Sequence, residues 1–301
     1  MNKATKQFQS SLAQLGAEYG FFETLGDQHS ALFIEGNDTL IVTFENLDHV
    51  YRYTDDRMPW GHSFVTGQGW SMLGMMAHDW TWYRDEAVYD FFDRLRDEGF
   101  FARFKRVVFY GASMGGYAAA TFSAAAPGST VILISPQATL CRETAPWEQR
   151  YLKGWSRNFN TRYGYAPDHL RAAEQAYLFF DPRIAPDAMH ATLFQGDNLI
   201  KFRCRFFGHR MASLWLQMGV LKEVITSCVD GSLTRLKFFQ LMRTRRTSGR
   251  FMREFLETVE AKNNPRRTAY FCQAVLNRRK GPRFRQALKR ADAALSKKQK
   301  G

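Results

Sequence analysis

The chain has 301 residues, of which 45% are hydrophobic and 15% aromatic, so it can bury a large core and is not intrinsically disordered. Its four cysteines are sparse and lack a CxxC pair, which argues against a disulfide scaffold, a zinc site or a redox dithiol. The formal net charge of +13 is uneven: residues 1–220 carry 21 Lys and Arg against 23 Asp and Glu, whereas residues 221–301 carry 21 against 6. No apolar run approaches the roughly 18 residues of a membrane span and no apolar signal segment is visible, so we expect a cytoplasmic protein.

The first hundred residues show three patterns of secondary structure. Residues 1–25 predict a weakly amphipathic helix. Two short apolar segments, 31–35 and 39–44, flank a Gly-Asn-Asp turn and predict a β-hairpin. Residues 47–80 have no clean period, whereas residues 84–98 predict a helix because their apolar side chains recur at intervals of three and four.

Strands and helices alternate in the middle of the chain. Residues 106–110 and 130–134 are uniformly apolar, which is typical of buried strands, and the Ala-rich residues 117–126 between them predict a helix. The segment 141–175 is polar and aromatic and has no strand pattern. A further strand is predicted at residues 176–180.

The last strand and a long helical region complete the pattern. Asp187 is a plausible N-cap of a short helix that ends near Gln195, and residues 199–207 predict the last strand. From about residue 211 onward the pattern is helical. We therefore predict an α/β fold with a mostly parallel central sheet flanked by helices, in a domain of residues 1–225, and a basic helical extension of residues 226–301.

The pentapeptide Gly111-Ala-Ser113-Met-Gly115 has the pattern G-x-S-x-G. A buried strand leads into it and a helix of small residues leaves it, as a nucleophile elbow requires. Such a sharp turn strains the serine backbone, and the residues two before and two after it must be small, which explains Gly111 and Gly115. We therefore predict that Ser113 is a catalytic nucleophile.

A serine nucleophile needs a general base, and His209 is the best candidate. It follows the last predicted strand, and Gly208 before it permits a tight loop that brings the ring over the sheet edge. His169 lies in the polar segment and His190 within a predicted helix, so we expect structural roles for both.

The base needs a carboxylate that orients it, and three aspartates between Ser113 and His209 are candidates. Asp181 is preferred because it directly follows the predicted strand 176–180. Asp187 remains an alternative, although a role as an N-cap explains it more simply. Asp197 lies in a turn that should be at the opposite edge of the sheet.

An oxyanion hole needs two backbone N–H donors. The first should be the amide of Met114, directly after the nucleophile. The second should come from the loop after the strand at 39–44, from the amide of Glu45, Asn46 or Leu47, of which we choose Asn46.

At this point the chain resembles the α/β-hydrolase superfamily. The resemblance spans about residues 30–225 and rests on Val107–Gly116, on Phe180-Asp181-Pro182 and on Gly208-His209. It implies a serine hydrolase that acts on an ester, thioester or amide without a cofactor or metal, with segment 141–175 as a cap. The chain departs from the family where His-Gly often follows the oxyanion strand, because it has Phe44-Glu45-Asn46 there.

The basic extension leaves a second class of function open. Its arginine and lysine runs alternate with aromatic residues, which indicates either solvated helix faces or a docking surface for an acidic partner such as a membrane surface or a polyanion. No nucleic-acid-binding motif is present, so a nucleic acid is not the expected partner. Beside a hydrolase of a small-molecule or acyl substrate, the alternatives are an acyltransferase with the same triad and a non-catalytic binding protein with this fold.

Overall fold

A computed structural model describes residues 3–45 and 57–299 of the chain. Within these residues, eight strands form one sheet in the order β1-β2-β4-β3-β5-β6-β7-β8. The strands are β1 (Gly20–Leu25), β2 (His29–Ile34), β3 (Asn37–Phe44), β4 (Trp70–Ala77), β5 (Arg106–Ala112), β6 (Thr130–Ile134), β7 (Gln175–Phe180) and β8 (Leu199–Arg203). Strand β2 runs antiparallel to β1 and β4, and the other neighbours are parallel. The predicted α/β class, with a mostly parallel sheet, is confirmed.

Helices precede, connect and follow these strands. They are α1 (Lys3–Tyr19), α2 (His62–Gly67), α3 (Glu86–Asp97), α4 (Met114–Phe122), α5 (Ala166–His169), α6 (Ala185–Leu193), α7 (Met211–Gln217), α8 (Leu221–Val229), α9 (Arg235–Leu241), α10 (Gly249–Glu260), α11 (Pro265–Leu276) and α12 (Pro282–Gln299). Helix α3 begins where the carboxylate of Asp85 accepts a hydrogen bond from the amide of Ala87, and it buries its apolar face as its periodicity predicts.

The predicted hairpin of residues 31–35 and 39–44 is wrong. Strand β2 pairs with β1 and β4, and β4 separates it from β3. Strand β4 lies in the segment where the sequence showed no pattern, because it is buried almost throughout and has neither alternation nor β-branched residues. The turn between β2 and β3 is therefore a crossover to a strand two places away.

A stack of phenylalanine rings joins the sheet to two helices below the serine turn. Phe44 on β3 and Phe109 on β5 lie against Phe92 on α3 and Phe122 on α4. The rings of Phe92 and Phe122 are stacked with centroids 4.4 Å apart. All four side chains are fully buried, so the strand and the helix on either side of the Ser113 turn are anchored in the core.

The insertion at residues 141–175 is fastened to the sheet unit by two buried side chains. The guanidinium of Arg84 donates hydrogen bonds to the carbonyl oxygens of Asn158 and Arg162. The hydroxyl of Tyr117, on α4, donates to the carbonyl oxygen of Tyr163 at 2.6 Å. The insertion consists of turns and short helical segments whose backbone is held by these donors.

The described chain divides into two compact units. The first takes in the described residues as far as Ala212 together with Ile225–Leu233, and the second takes in Ser213–Val224 and the described residues from Thr234 onward. The second unit has its own core, in which Leu256, Cys272, Phe284 and Ala287 are buried. None of the described helices is long and apolar enough to cross a membrane.

Candidate active site

Ser113 occupies a strained turn between β5 and α4. Its backbone has φ 53° and ψ −120°, a region that non-glycine residues rarely enter. Its amide donates to the carbonyl oxygen of Ile134, and its own carbonyl accepts from the amide of Tyr117. The serine side chain is thus lifted above the carboxyl edge of the sheet, as the G-x-S-x-G pattern predicts.

The two glycines of the pentapeptide are required by close backbone contacts. A Cβ atom on Gly111 would lie 2.0 Å from the carbonyl oxygen of Gly115, and one on Gly115 would lie 2.4 Å from the carbonyl oxygen of Phe44. Both distances are far below van der Waals contact. The turn therefore admits only glycine at these positions.

Backbone strain is concentrated on the segments that leave the carboxyl ends of the strands. Ser113 after β5, Ser135 after β6 and Phe206 after β8 have positive φ values of 53°, 47° and 71°. Trp82 and Tyr83, in the segment after β4, have φ values of 49° and 55°. Strained non-glycine residues of this kind tend to collect at functional sites.

His209 bridges the serine to a buried carboxylate. Its Nε2 atom lies 3.0 Å from Oγ of Ser113, and its Nδ1 atom lies 2.9 Å from both carboxylate oxygens of Asp187. The imidazole side chain is 23% exposed, whereas that of Asp187 is 1% exposed. An ionised carboxylate only accepts hydrogen bonds, so Nδ1 carries the proton and Nε2 is left to accept from the serine.

The carboxylate that contacts His209 is Asp187, the alternative candidate, which corrects the preference for Asp181. Helix α6 begins at Ala185, so Asp187 lies in its first turn rather than at its N-cap and faces the histidine loop. Asp181 is also buried, but it accepts hydrogen bonds from the amides of Gly208 at 2.8 Å and Arg183 at 2.9 Å. Asp181 therefore holds the backbone of the loop that carries His209.

Sheet order and chain order together identify the fold. The nucleophile turn follows β5 of an eight-stranded sheet in which β2 alone runs against the other strands. The carboxylate Asp187 follows β7 and His209 follows β8, so the three side chains occur in the order serine, acid, histidine. The chain has an α/β-hydrolase-type fold.

No protein-family model matches the sequence, and no curated protein matches it. The α/β-hydrolase-type fold is similar to that of several solved structures at low sequence identity. The capsule O-acetyltransferase of Neisseria meningitidis serogroup A is 11% identical, with 68% of this chain and 92% of that chain covered and a TM-score of 0.45. An esterase of Pyrobaculum calidifontis is 16% identical, with 78% and 94% covered and a TM-score of 0.45. An S-formylglutathione hydrolase from Agrobacterium tumefaciens is 12% identical, with 69% of this chain and 91% of that chain covered and a TM-score of 0.43.

In this α/β-hydrolase-type site the buried carboxylate has a second partner in the insertion. Nη1 of Arg150 donates to Oδ1 of Asp187 at 2.7 Å, and Nε of Arg150 donates to Oε1 of Glu148 at 2.9 Å. Burial alone would raise the pKa of Glu148, but hydrogen bonds from His190 and Arg150 and the charge of Arg150 lower it to about 2. Two buried carboxylates are thus joined by one guanidinium.

His190 closes this network on the side of α6. Its Nδ1 atom accepts the amide N–H of Ala138, so its Nε2 atom carries the proton and donates to Glu148 at 3.1 Å. Burial lowers the pKa of His190, although the carboxylate of Glu148 opposes the shift, so the ring is neutral at neutral pH. The predicted structural role of His190 is consistent with these contacts.

Gln137 and Trp82 lie beside the nucleophile on the other side. Nε2 of Gln137 donates to Oγ of Ser113 at 3.3 Å, and Oε1 of Gln137 accepts from the indole N–H of Trp82 at 3.0 Å. An indole nitrogen can only donate, so this contact fixes the amide with its NH₂ group toward the serine. Both side chains are fully buried.

Tyr151 places a hydroxyl directly at Nε2 of His209. Its oxygen lies 3.0 Å from Nε2, and its ring packs against that of Trp82 with centroids 5.3 Å apart. Burial raises the pKa of Tyr151, so the hydroxyl stays protonated at neutral pH and can donate a hydrogen bond.

The two predicted oxyanion donors have different outcomes. The amide of Met114 opens helix α4, where the first N–H groups have no partner within the helix and the positive end of the helix dipole lies. Asn46 lies outside the described residues. Glu45 before it is buried, and its carboxylate accepts hydrogen bonds from the guanidinium of Arg57 and the amide of Ala77.

The remaining candidates lie elsewhere. His169 ends α5 and packs against the ring of Tyr163, with centroids 5.2 Å apart. Asp197 is exposed in the turn before β8, at the edge opposite Ser113. Within the described residues, no cluster of His, Cys, Asp or Glu is arranged to hold a metal ion.

Sequence patterns gave no indication of Gln137, Tyr151, Trp82 or Arg150. Each lies in an irregular segment, and its contact with the site joins residues far apart in the chain. The one available signal was the aromatic content of segment 141–175, which includes Tyr151.

Proposed function

We propose that the protein is a serine hydrolase that cleaves an ester, thioester or amide through an acyl-enzyme on Ser113. The observation that carries this proposal is the unbroken line of hydrogen-bond distances from Oγ of Ser113 through His209 to the buried carboxylate of Asp187. A strained turn holds the half-buried Ser113 at the positive end of a helix, where developing negative charge is stabilised.

Acylation uses His209 twice. As Oγ of Ser113 attacks the carbonyl carbon of the substrate, its proton passes to Nε2 of His209, and Asp187 stabilises the resulting imidazolium through Nδ1–H. The imidazolium then protonates the leaving alcohol, thiol or amine as its bond to the carbonyl carbon breaks. Water attacks the acyl-enzyme in the second half, with His209 again as base, and releases the carboxylic acid and free Ser113.

Three donors of described residues surround the position where the substrate carbonyl reacts. The amide N–H of Met114 is the oxyanion donor that the elbow supplies. The NH₂ group of Gln137 and the hydroxyl of Tyr151 add two side-chain donors within hydrogen-bond reach of Ser113 and His209. Asn46 as a second backbone donor remains a prediction.

The test is covalent labelling with a fluorophosphonate probe, which reacts with an activated serine. Wild-type protein should label, Ser113→Ala should not, and His209→Ala and Asp187→Asn should label far more slowly. Circular dichroism and thermal unfolding of each variant establish that it is folded. Unlabelled but folded wild-type protein, or equal labelling of Ser113→Ala, would contradict the proposal.

A product analysis then defines the acceptor. The same acyl-enzyme is consumed by water in a hydrolase and by an alcohol or amine in an acyltransferase. Protein that reacts with the fluorophosphonate probe is first tested for turnover of esters and thioesters. Each substrate that it cleaves is then incubated with the protein in the presence and absence of an added alcohol or amine. Free acid as the sole product supports hydrolysis, and an acylated acceptor identifies transfer.

A further inference from the structure

The second unit exposes apolar side chains beside unpaired arginines. Leu236 and Phe239 on α9 are 69% and 48% exposed, which is unusual for large apolar residues. Arg243 and Arg246 lie on the continuation of α9, a 3₁₀ segment at Met242–Arg246. These four side chains line one shallow groove together with Gln240, Met242 and Arg245.

The charges of Arg243 and Arg246 are not neutralised by carboxylates among the described residues. Residues 234–301 carry 20 Lys and Arg against 4 Asp and Glu. Three of the four acidic residues form ion pairs on other helices, namely Glu254 with Arg250, Glu257 with Arg283 and Glu260 with Arg290. Neither Arg243 nor Arg246 pairs with a carboxylate anywhere in residues 3–45 or 57–299, so the groove favours an external anion.

The combination of side chains selects among anionic partners. Leucine has no aromatic face on which a nucleic acid base could stack, and its exposure adds nothing to phosphate binding. An anionic bilayer offers both features at once: lipid phosphates for the arginines and a hydrocarbon boundary for leucine and phenylalanine. Leu236, Phe239 and Arg243 are spaced by three and four residues, so they lie on one face of the segment and can meet a flat surface together.

We propose that this groove docks the protein on an anionic phospholipid surface. Leu236 and Phe239 enter the interfacial region, while Arg243 and Arg246 contact lipid phosphates. The proposal does not depend on the chemistry of Ser113, because every residue in it belongs to the second unit.

The experiment is vesicle flotation of the full chain with phosphatidylcholine vesicles, with and without phosphatidylglycerol. Wild-type protein should float with the anionic vesicles and stay behind with phosphatidylcholine alone. The double variant Leu236→Ser with Phe239→Ser should bind at least about tenfold more weakly, because it loses apolar burial in the interface. Arg243→Gln with Arg246→Gln should have a similar effect, since each basic residue near an anionic surface contributes about fivefold in affinity.

A matched control lies on α11. Tyr270 is 81% exposed and Arg266 and Arg267 precede it by one helical turn, so Tyr270→Ser with Arg266→Gln and Arg267→Gln removes the same kinds of group from another surface. This control should bind the anionic vesicles within a few-fold of wild type. The altered side chains are exposed, so all variants should keep the thermal unfolding and fluorophosphonate labelling of wild type.

Three results would overturn the proposal. The first is folded wild-type protein that does not float with anionic vesicles. The second is a double variant, Leu236→Ser with Phe239→Ser, that floats as wild type does, because binding would then come from non-specific positive charge alone. The third is single-stranded polyuridine that binds more tightly than the vesicles and depends on Arg243 and Arg246, which would make the groove a nucleic-acid surface. Labelling of Ser113 in the same samples reports separately on the proposed hydrolase activity.

Discussion

Arg150 donates to the same oxygen of Asp187 that lies 2.9 Å from Nδ1 of His209. A cation at 2.7 Å from the carboxylate competes with the imidazolium for its negative charge. Glu148, which is fully buried and bound to the same guanidinium, offsets part of that cation. The carboxylate of Asp187 is therefore shared between His209 and a cation of the insertion.

Replacing Arg150 should change the pH dependence of the reaction. In Arg150→Met the cation near the imidazolium is gone, so the protonated ring is favoured and a higher pH is needed to free Nε2. We expect the acidic limb of the labelling rate to move to higher pH. The measurement is the fluorophosphonate labelling rate across pH, with Arg150→Lys as the control that keeps the charge.

Glu148→Gln is the reciprocal variant. It leaves the charge of Arg150 without its second carboxylate, so the imidazolium is destabilised and the acidic limb should move to lower pH. Ser113, Asp187, Tyr151 and Arg150 face the ring and are unchanged in this variant, so the sign of the shift isolates the carboxylate. If the labelling rate of each variant has the same pH dependence as that of wild type, and only the labelled fraction of the protein is lower, then Arg150 and Glu148 merely support the fold.

The two buried aspartates should be separable by substitution. In Asp187→Asn the acceptor for Nδ1–H is lost, and we expect labelling to slow by about 10³–10⁴-fold. Asp181→Asn keeps an oxygen that can accept the amide of Gly208, so labelling should fall by less than about tenfold while the free energy of unfolding falls by about 1 kcal/mol. A larger rate loss in Asp181→Asn than in Asp187→Asn would reverse the assignment.

The aspartates also show what the sequence could and could not predict. Ser113 was identifiable because the elbow is a local pattern of glycines between a strand and a helix, and His209 because it follows the last strand. For the aspartate that contacts His209, the order of residues in the chain was the only signal in the sequence. Whether Asp181 or Asp187 faces the histidine depends on where α6 begins. The N-cap of α6 is Ile184, three residues before Asp187, and this offset places the Asp187 carboxylate in the first turn of the helix.

Long-range pairing limited the prediction of the fold in the same way. Strand β4 is buried almost throughout, and Gly74 within it faces Pro59, so it lacks the alternation and β-branched residues that indicate a strand. Without β4, its neighbours β2 and β3 read as a hairpin. Contacts of Gln137 with Trp82 and Ser113 span 55 and 24 residues and leave no local pattern either.

The orientation of Gln137 should matter for the nucleophile. Gln137→Met removes the donor to Oγ of Ser113 with little change in volume, and we expect labelling to slow by about fivefold. Gln137→Glu places a carboxylate beside the developing negative charge and should slow it further. Unchanged labelling of Gln137→Met would show that this amide has no influence on the reaction of Ser113.

Trp82→Phe tests how the amide is held. The variant loses the indole N–H that fixes the amide, so the NH₂ group can turn away from Ser113 and labelling should slow although Gln137 is intact. In the background of Gln137→Met the same change should have little additional effect on labelling, because the two residues act through one contact. Additive losses in the double variant would indicate independent roles, and unfolding curves report the cost of the smaller ring.

Neighbouring glycines of the elbow should differ in their tolerance of alanine. A Cβ atom on Gly115 would lie 2.4 Å from the carbonyl oxygen of Phe44, so Gly115→Ala should lower the free energy of unfolding by about 1–3 kcal/mol. Gly116→Ala is the matched control, since its closest neighbour is Cβ of Pro136 at 3.1 Å, and it should cost less than about 1 kcal/mol. Urea unfolding compares the two, and equal losses would contradict the packing of the turn against β3.

Buried histidines should make the folded state sensitive to acid. Burial lowers the pKa values of His29, His169 and His190, and burial with the charge of Arg57 lowers that of His78 to about 4. In the unfolded chain these rings bind protons below a pH of about 6.5, whereas in the folded state they bind them only at lower pH, so the free energy of unfolding should fall as the pH drops below about 6.5. Each such ring contributes a slope of about 1.4 kcal/mol per pH unit between its unfolded and folded pKa values.

The slope can be assigned to a single ring. In His78→Gln one proton no longer binds on unfolding, so between about pH 6 and about pH 5 the free energy of unfolding should fall by about 1.4 kcal/mol less per pH unit than in wild type. Urea unfolding across this range measures it. Asp197→Asn, at an exposed position in the turn before β8, is a control that should leave the slope unchanged, because it removes no buried histidine. A His78→Gln slope equal to that of wild type would mean that His78 binds its proton equally in the folded and unfolded chain, against the effect of its burial.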